Sequence, residues 1–267
     1  MPTIARNMEI IVLPSPEVAC LRAARIVARL VRTKPEAVLA LPTGATPQAV
    51  YAELVRQHRD EGLSFARVTA FNLDEYAGLA PDHPASFRRA LHEALVRHVD
   101  LPPANAHAPD GLDPSPPEAC QRYEAQIAAA GGLDLALLGL GRDGHIAFNE
   151  PTSSLGSRTR IKTLAEETRA ANQAAFGADP VPRHALTMGI ATILSARRCV
   201  LLAFGTAKAD AAARLIEGAL TAMVPASALQ LHPQATVILD EAAAARLTLR
   251  AYYETVAADK PAWQREE

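Results

Sequence analysis

The sequence predicts a three-layer α/β fold, in which a mainly parallel sheet is covered by helices on both faces. Three observations carry this expectation. Apolar runs of strand length alternate with helical patterns over most of the chain, as strand–helix–strand units do. Runs such as residues 37–41 (AVLAL) are apolar throughout, as strands buried on both faces are. Three of the runs open directly into polar, glycine-containing loops, which places those loops at the carboxyl edge of a parallel sheet, where ligands gather.

Taken in order, residues 8–13 (MEIIVL) are the first strand candidate. Ser15-Pro16 then supplies an N-cap and a first-turn proline for a helix reaching about residue 31. Residues 37–41 are the second strand and run into Pro42-Thr43-Gly44-Ala45-Thr46-Pro47 and a helix over about 48–58. Residues 67–73 (RVTAFNL) are the third strand, ending at Asp74-Glu75-Tyr76, with a helix near 87–96 behind it. A proline-rich stretch, 101–117, reads as a surface connection and leads to a helix over about 118–130. Residues 133–138 (LDLALL) are the next strand and open into Gly139-Leu140-Gly141-Arg142-Asp143-Gly144-His145. Later strands fall at 161–164, 199–204 and 235–239, with helices near 166–175, 188–195 and 208–220. No repeat or low-complexity linker interrupts the pattern, so a single domain over residues 1–267 is expected.

Composition narrows the function classes. Apolar residues make up 49% of the 267 and charged residues 21%, the balance of an ordinary globular protein. Aromatics at 4% and a formal net charge of -2 leave neither stacking platforms nor a basic surface for nucleic acid. The three cysteines, Cys20, Cys120 and Cys199, stand far apart and read as buried thiols in a reducing compartment, not a disulfide framework or a zinc site. The apolar run at residues 8–13 is too short for a signal segment, and no run approaches the ~20 residues that span a bilayer. A soluble, cytoplasmic protein with no membrane partner is the expectation.

The three loops carry the candidate chemistry. In residues 41–47 (LPTGATP) a strand leads through Gly44 into a helix start, where free N–H groups and the helix dipole favour an anion. Thr43 and Thr46 add hydroxyl donors there, and the loop lacks the Lys-Ser/Thr of a P-loop and the GxGxxG of a dinucleotide site. The same loop without a ligand is a capped helix start. The second loop places Asp74 and Glu75 at the end of an apolar strand, where a carboxylate is either a general base with a raised pKa or a cap for the next helix. In the third, residues 139–151 (GLGRDGHIAFNEP), Asp143, His145 and Glu150 fit a proton relay in which a carboxylate fixes the histidine tautomer. A metal site is the competing reading, but one histidine at this spacing matches no metal motif.

Other polar residues have two readings each. His83 and His232 are loop or packing histidines before they are catalysts. Arg158, Arg160 and Lys162 form either a solvated strand face or a second anion site. Lys208 begins a helix, where the dipole disfavours a cation, unless it points at an anion.

In this order the loops resemble the glucosamine-6-phosphate deaminase family, whose fold is Rossmann-like. The resemblance runs from the first strand to Leu247 and is carried by LPTGATP, FNLDEYAGL, DGHIAFNEP with SSLGSRTRIKTL, and SALQLHP. It implies a hydrolytic deamination of glucosamine 6-phosphate to fructose 6-phosphate and ammonia, with no cofactor and no metal. Asp74 would move the proton between C2 and C1, and His145 would assist ring opening with Asp143 and Glu150 as its relay. Thr43, Gly44, Ala45, Thr46 and Lys208 would hold the substrate phosphate. Ser153, Ser154, Arg160 and Lys162 match an activator site at a subunit interface, which implies a homo-oligomer, with a hexamer as one form. The chain departs from the family in having Ala45 for a second glycine and Gln173-Ala174-Ala175 where an arginine usually follows the Ala-Asn pair. The segment before Val181 is also shorter than the family's mobile lid.

Two alternatives share the fold. A 6-phosphogluconolactonase would continue Ala-Ser-Leu-Phe-Pro after the histidine, where this chain reads Ala147-Phe148-Asn149-Glu150-Pro151. A sugar-phosphate-sensing regulatory domain would follow a DNA-binding region and would have no need of Asp74, His145 and Glu150 together.

Overall fold

A computed structural model of the protein describes residues 8–260. Its main sheet has seven strands, all parallel: β1 (Glu9–Leu13), β2 (Val38–Leu41), β3 (Thr69–Asn72), β5 (Ala106–His107), β6 (Leu135–Gly139), β9 (Arg198–Ala203) and β10 (Ala235–Asp240). Their spatial order is β1-β10-β9-β6-β2-β3-β5. The order reverses between β2 and β6, since the chain builds outward from β2 through β3 to β5 and then returns to β6 on the other side. A crevice opens at such a switch point, outside the carboxyl ends of the two strands.

The apolar strands divide into two cores because successive side chains point to opposite faces. Leu39, Leu41, Leu135, Leu137, Val200 and Leu202 pack against α1 (Pro16–Thr33) and α2 (Ala45–Glu61). Val38, Ala40, Ala136, Leu138 and Leu201 pack on the other face with Tyr123 and Ile127 of α4 (Pro116–Ala129) and Leu215 of α7 (Ala209–Ile216). Covering both faces demands runs with no polar alternation, which is what the sequence contains. Ser15 caps α1 as expected, its hydroxyl accepting from the Val18 amide. Cys20, Cys120 and Cys199 are buried free thiols.

The structure departs from the sequence reading in a second, smaller sheet. β4 (Asp74–Tyr76), β7 (Arg160–Thr163) and β8 (His184–Thr187) form an antiparallel ribbon in the order β4-β8-β7. The strand expected at 161–164 therefore lies outside the parallel sheet. The helix expected at 188–195 shrinks to α6 (Ile190–Leu194), because β8 and the turn at Gly189 occupy the preceding chain. The helix expected at 208–220 is α7 preceded by a 3-10 turn at Thr206–Lys208, and that near 87–96 is α3 (Phe87–Ala94) followed by a second such turn. α5 (Glu166–Phe176) and α8 (Arg250–Ala258) complete the helices; α8 was not expected. No helix of the described residues is long and apolar enough to cross a membrane.

Candidate active site

Because the main strands are parallel, their carboxyl ends deliver four loops to one edge of the sheet. In spatial order these are the turn before Lys208 after β9, the loop at Arg142-Asp143 after β6, the loop at Thr43-Gly44 after β2, and Asp74 just beyond β3.

Asp74 stands where the chain leaves the parallel sheet for the antiparallel ribbon. The Leu73 amide still bonds to Leu41 in β2, while Asp74 already pairs with Thr187 of β8. The carboxylate is only 8% exposed and makes no hydrogen bond with any described residue. Burial raises its pKa to about 8, with the neighbouring Glu75 charge adding to the effect. Glu75 has a separate task. Its carboxylate accepts from the Tyr76, Phe87 and Arg88 amides and from the Ser86 hydroxyl, closing the start of α3. Of the two readings for adjacent strand-end acids, Glu75 takes the capping one, while the Asp74 carboxylate caps nothing.

The third loop folds tightly around His145. The Gly141 amide bonds to the His145 carbonyl, and the Gly144 amide returns to the Gly141 carbonyl. Nδ1 of His145 lies 2.6 Å from Oδ1 of Asp143, and the same oxygen accepts from the His145 amide. Burial raises the Asp143 pKa, but the imidazole and the backbone donors outweigh it and hold the carboxyl below its ordinary range. A Cβ at position 141 would come within 2.3 Å of the imidazole ring, so only glycine leaves room for it. Ala147, next along, is held at φ 50°, a left-handed conformation that non-glycine residues adopt at a cost.

The expected three-residue relay is divided. Glu150 is buried, but its carboxylate accepts from the Ala165 amide at 3.2 Å and from the Thr168 hydroxyl on α5; it is not a hydrogen-bond partner of His145. Asp143 and His145 form the pair, and Glu150 ties the loop to α5.

In the first loop Gly44 adopts φ +104°, with open space where a Cβ would stand, and it caps α2 without any side-chain bond. The helix therefore starts at Ala45, three residues earlier than the 48 expected, and its first amides face outward with Thr43 and Thr46 half-buried beside them. The Tyr51 hydroxyl donates to the Pro42 carbonyl at 2.5 Å and fixes the loop's entry. Lys208 is half-buried, and its ammonium has no hydrogen bond or ion pair within contact distance. Burial lowers its pKa, and the positive charge of Arg142 adds to this against the opposing pull of Asp143. The turn carrying Lys208 is anchored by Asp240, whose carboxylate accepts from the Gly205 amide at 3.0 Å.

The four candidate activator residues lie on the small sheet and the turn leading to it. Arg160 donates to Asn149 at 2.8 Å, but its second terminal nitrogen and the Ser153 hydroxyl are buried without a partner. Ser154 is exposed and accepts from the Gly156 amide, and Lys162 is half-buried on β7. His232 is a packing residue, its ring bonded to the Ala196 carbonyl, and His83 packs at a tilt against Phe176. Among the described residues no group of three metal-ligating side chains converges.

Sequence reasoning missed three supports: Asn149, Thr187 and Asp240. Asn149 donates to the Ile146 and Met188 carbonyls, and Thr187 accepts from the Phe148 amide, so together they fix the turn after His145. Asp240 carried a visible signal, an acid closing an apolar strand as Asp74 does.

Comparison with known proteins places the site in context. The family model for glucosamine-6-phosphate isomerases and 6-phosphogluconolactonases matches residues 16–238. The chain is 51% identical to the glucosamine-6-phosphate deaminase of Mycolicibacterium smegmatis, over 96% of this chain and 99% of that protein. It is 50% identical to that of an Arthrobacter species, again over 96% and 99%. A solved monomeric glucosamine-6-phosphate deaminase superposes with a TM-score of 0.87 at 45% identity, over 89% of this chain and 99% of that one. The 6-phosphogluconolactonase of Trypanosoma brucei shares the fold at a TM-score of 0.71 and 21% identity, over 90% and 99%. The chain belongs to the family of glucosamine-6-phosphate isomerases and 6-phosphogluconolactonases.

Proposed function

We propose that the protein acts as one catalytic domain that converts glucosamine 6-phosphate and water to fructose 6-phosphate and ammonia. The observation that carries this reading is Asp74, a buried carboxylate with no hydrogen bond, poised as a base near pH 8 beside a crevice with an anion cradle. Curated relatives at about half identity over nearly the full chain carry the deaminase name, whereas the lactonases named above are related in fold only.

The steps follow from the residues. The α2 amides, Thr43, Thr46 and Lys208 bind the phosphate and orient the sugar. His145, paired with Asp143, transfers a proton from the C1 hydroxyl to the ring oxygen, which opens the pyranose to an aldehyde. Asp74 removes the C2 proton while O1 takes a proton from the substrate's own ammonium, giving an enol-amine; Asp74 then returns its proton to C1, leaving a protonated imine at C2. Water adds to the imine, the C–N bond breaks, and ketone and ammonia leave. The last step makes the overall reaction a hydrolytic deamination, although its core is an aldose–ketose proton transfer. Glu150 holds α5 against this loop and thereby fixes the wall of the site.

The buried, unpartnered nitrogen of Arg160 and hydroxyl of Ser153 favour a second anion site with Ser154 and Lys162. Activity measured with and without N-acetylglucosamine 6-phosphate tests it; superimposable curves reduce the cluster to a structural one. A homo-oligomer is tested by light scattering on the purified chain, where a monomer mass rules it out.

The reaction itself is tested by assaying glucosamine 6-phosphate for fructose 6-phosphate and ammonia, with Asp74→Asn as control. Equimolar products lost in the variant support the reading. A folded protein that forms neither product overturns it.

A further inference from the structure

We propose that Arg142 is a phosphate-binding residue: its guanidinium, carried beyond β6, and the Lys208 ammonium, carried beyond the neighbouring β9, close on the substrate phosphate. This rests on the reading of the crevice as a sugar-phosphate site and assigns it a residue that determines specificity.

The topology supplies the first argument. β6 lies between β2 and β9 in the sheet, so the loop bearing Arg142 stands between the Gly44 helix start and the turn of Lys208. No other loop occupies that position. The turn is also rigid, because the Gly141–His145 and Gly144–Gly141 backbone bonds close it and the imidazole packs directly on Gly141. The backbone of Arg142 is therefore held in place even though its side chain is exposed.

Charge supplies the second argument. Arg142 makes no hydrogen bond or ion pair within contact distance among the described residues, and neither does the ammonium of Lys208. Most other arginines at the surface are engaged; Arg56, for example, bonds to Glu53 and Glu61. Arg142 nevertheless lies close enough to Lys208 for its charge to oppose that of the lysine. The Asp143 carboxylate, whose charge reaches Lys208, lies against His145. Two cations thus converge beside a helix start, and the Asp143 carboxylate offsets their repulsion only in part. A dianion resolves that repulsion, and a guanidinium fork grips two phosphate oxygens at once where an ammonium offers a point charge.

The consequence is selectivity for a sugar bearing the phosphate. Losing one charge-assisted contact to phosphate weakens binding by about tenfold or more. Arg142→Ala and Arg142→Gln are compared with wild type by titration calorimetry against inorganic phosphate and by the KM for glucosamine 6-phosphate, with thermal melts to confirm folding. We expect phosphate affinity to fall and KM to rise by about tenfold, kcat to change far less, and Arg142→Lys to lie between. Unchanged phosphate affinity in the folded variants, or no phosphate binding by wild type, overturns the inference. If wild type binds phosphate through Arg142 but does not turn over glucosamine 6-phosphate, this inference stands and the proposed reaction falls.

Discussion

Asp143 and His145 meet at 2.6 Å across a turn whose geometry depends on the missing side chain of Gly141. The loop was built for this pair: the same Asp143 oxygen that faces the imidazole also holds the His145 amide. In the proposed reaction, ring opening falls to His145 and the C2–C1 proton transfer to Asp74.

Gly141→Ala would place a Cβ within 2.3 Å of the imidazole. The ring must move, and misplacing a catalytic group by about 1 Å costs on the order of a hundredfold in rate. We expect kcat to fall by about that factor, with a stability loss of about 1–3 kcal/mol read from denaturant melts.

Asp74 sets the pH dependence. Its pKa of about 8 means that the base form accumulates as pH rises, so kcat/KM should climb to a limb near that value in the free enzyme. Its folded pKa lies above the ordinary 3.8, so the folded state holds the proton longer than the unfolded chain. The stability this gives is present below the ordinary value and is lost as pH rises to about 8. Asp74→Asn should therefore gain stability over wild type across that window, with the gap levelling off above it, as melts at several pH values would record.

Glu75→Gln separates the two adjacent acids. Glu75 caps α3 and its charge helps to raise the Asp74 pKa. The variant should lose about 1–2 kcal/mol of stability through weakened capping and shift the activity limb to lower pH. A limb that stays in place would show that burial alone sets the Asp74 pKa.

Asp240→Ala removes the acceptor of the Gly205 and Ala243 amides and frees the turn that carries Lys208. We expect KM to rise several-fold with kcat nearly unchanged, and the melting temperature to drop because two donors lose their buried partner.

How much of this was legible in the sequence follows from distance along the chain. The parallel strands were readable because burial on both faces forces uninterrupted apolar runs, as in β6 and β9. The antiparallel ribbon was not: β4 is Asp-Glu-Tyr and β8 is His-Ala-Leu-Thr, too short and too mixed to show a period. In the site, Asp143 and His145 were readable as a pair because they are near neighbours. The partners of Glu150 are Ala165 and Thr168, and Glu75 reaches Ser86, Phe87 and Arg88 at the start of α3, contacts that only the folded chain makes. Lys208 stood out because a cation at a helix start defies the dipole.

The central claim is that Asp74 is the base of an amino-sugar-phosphate deamination. The most direct test follows fructose 6-phosphate and ammonia from glucosamine 6-phosphate with wild type and Asp74→Asn side by side. The account predicts equimolar products from wild type and a loss of at least about a hundredfold in the folded variant. Wild-type rates in Asp74→Asn, or no product from the folded wild type, would contradict it.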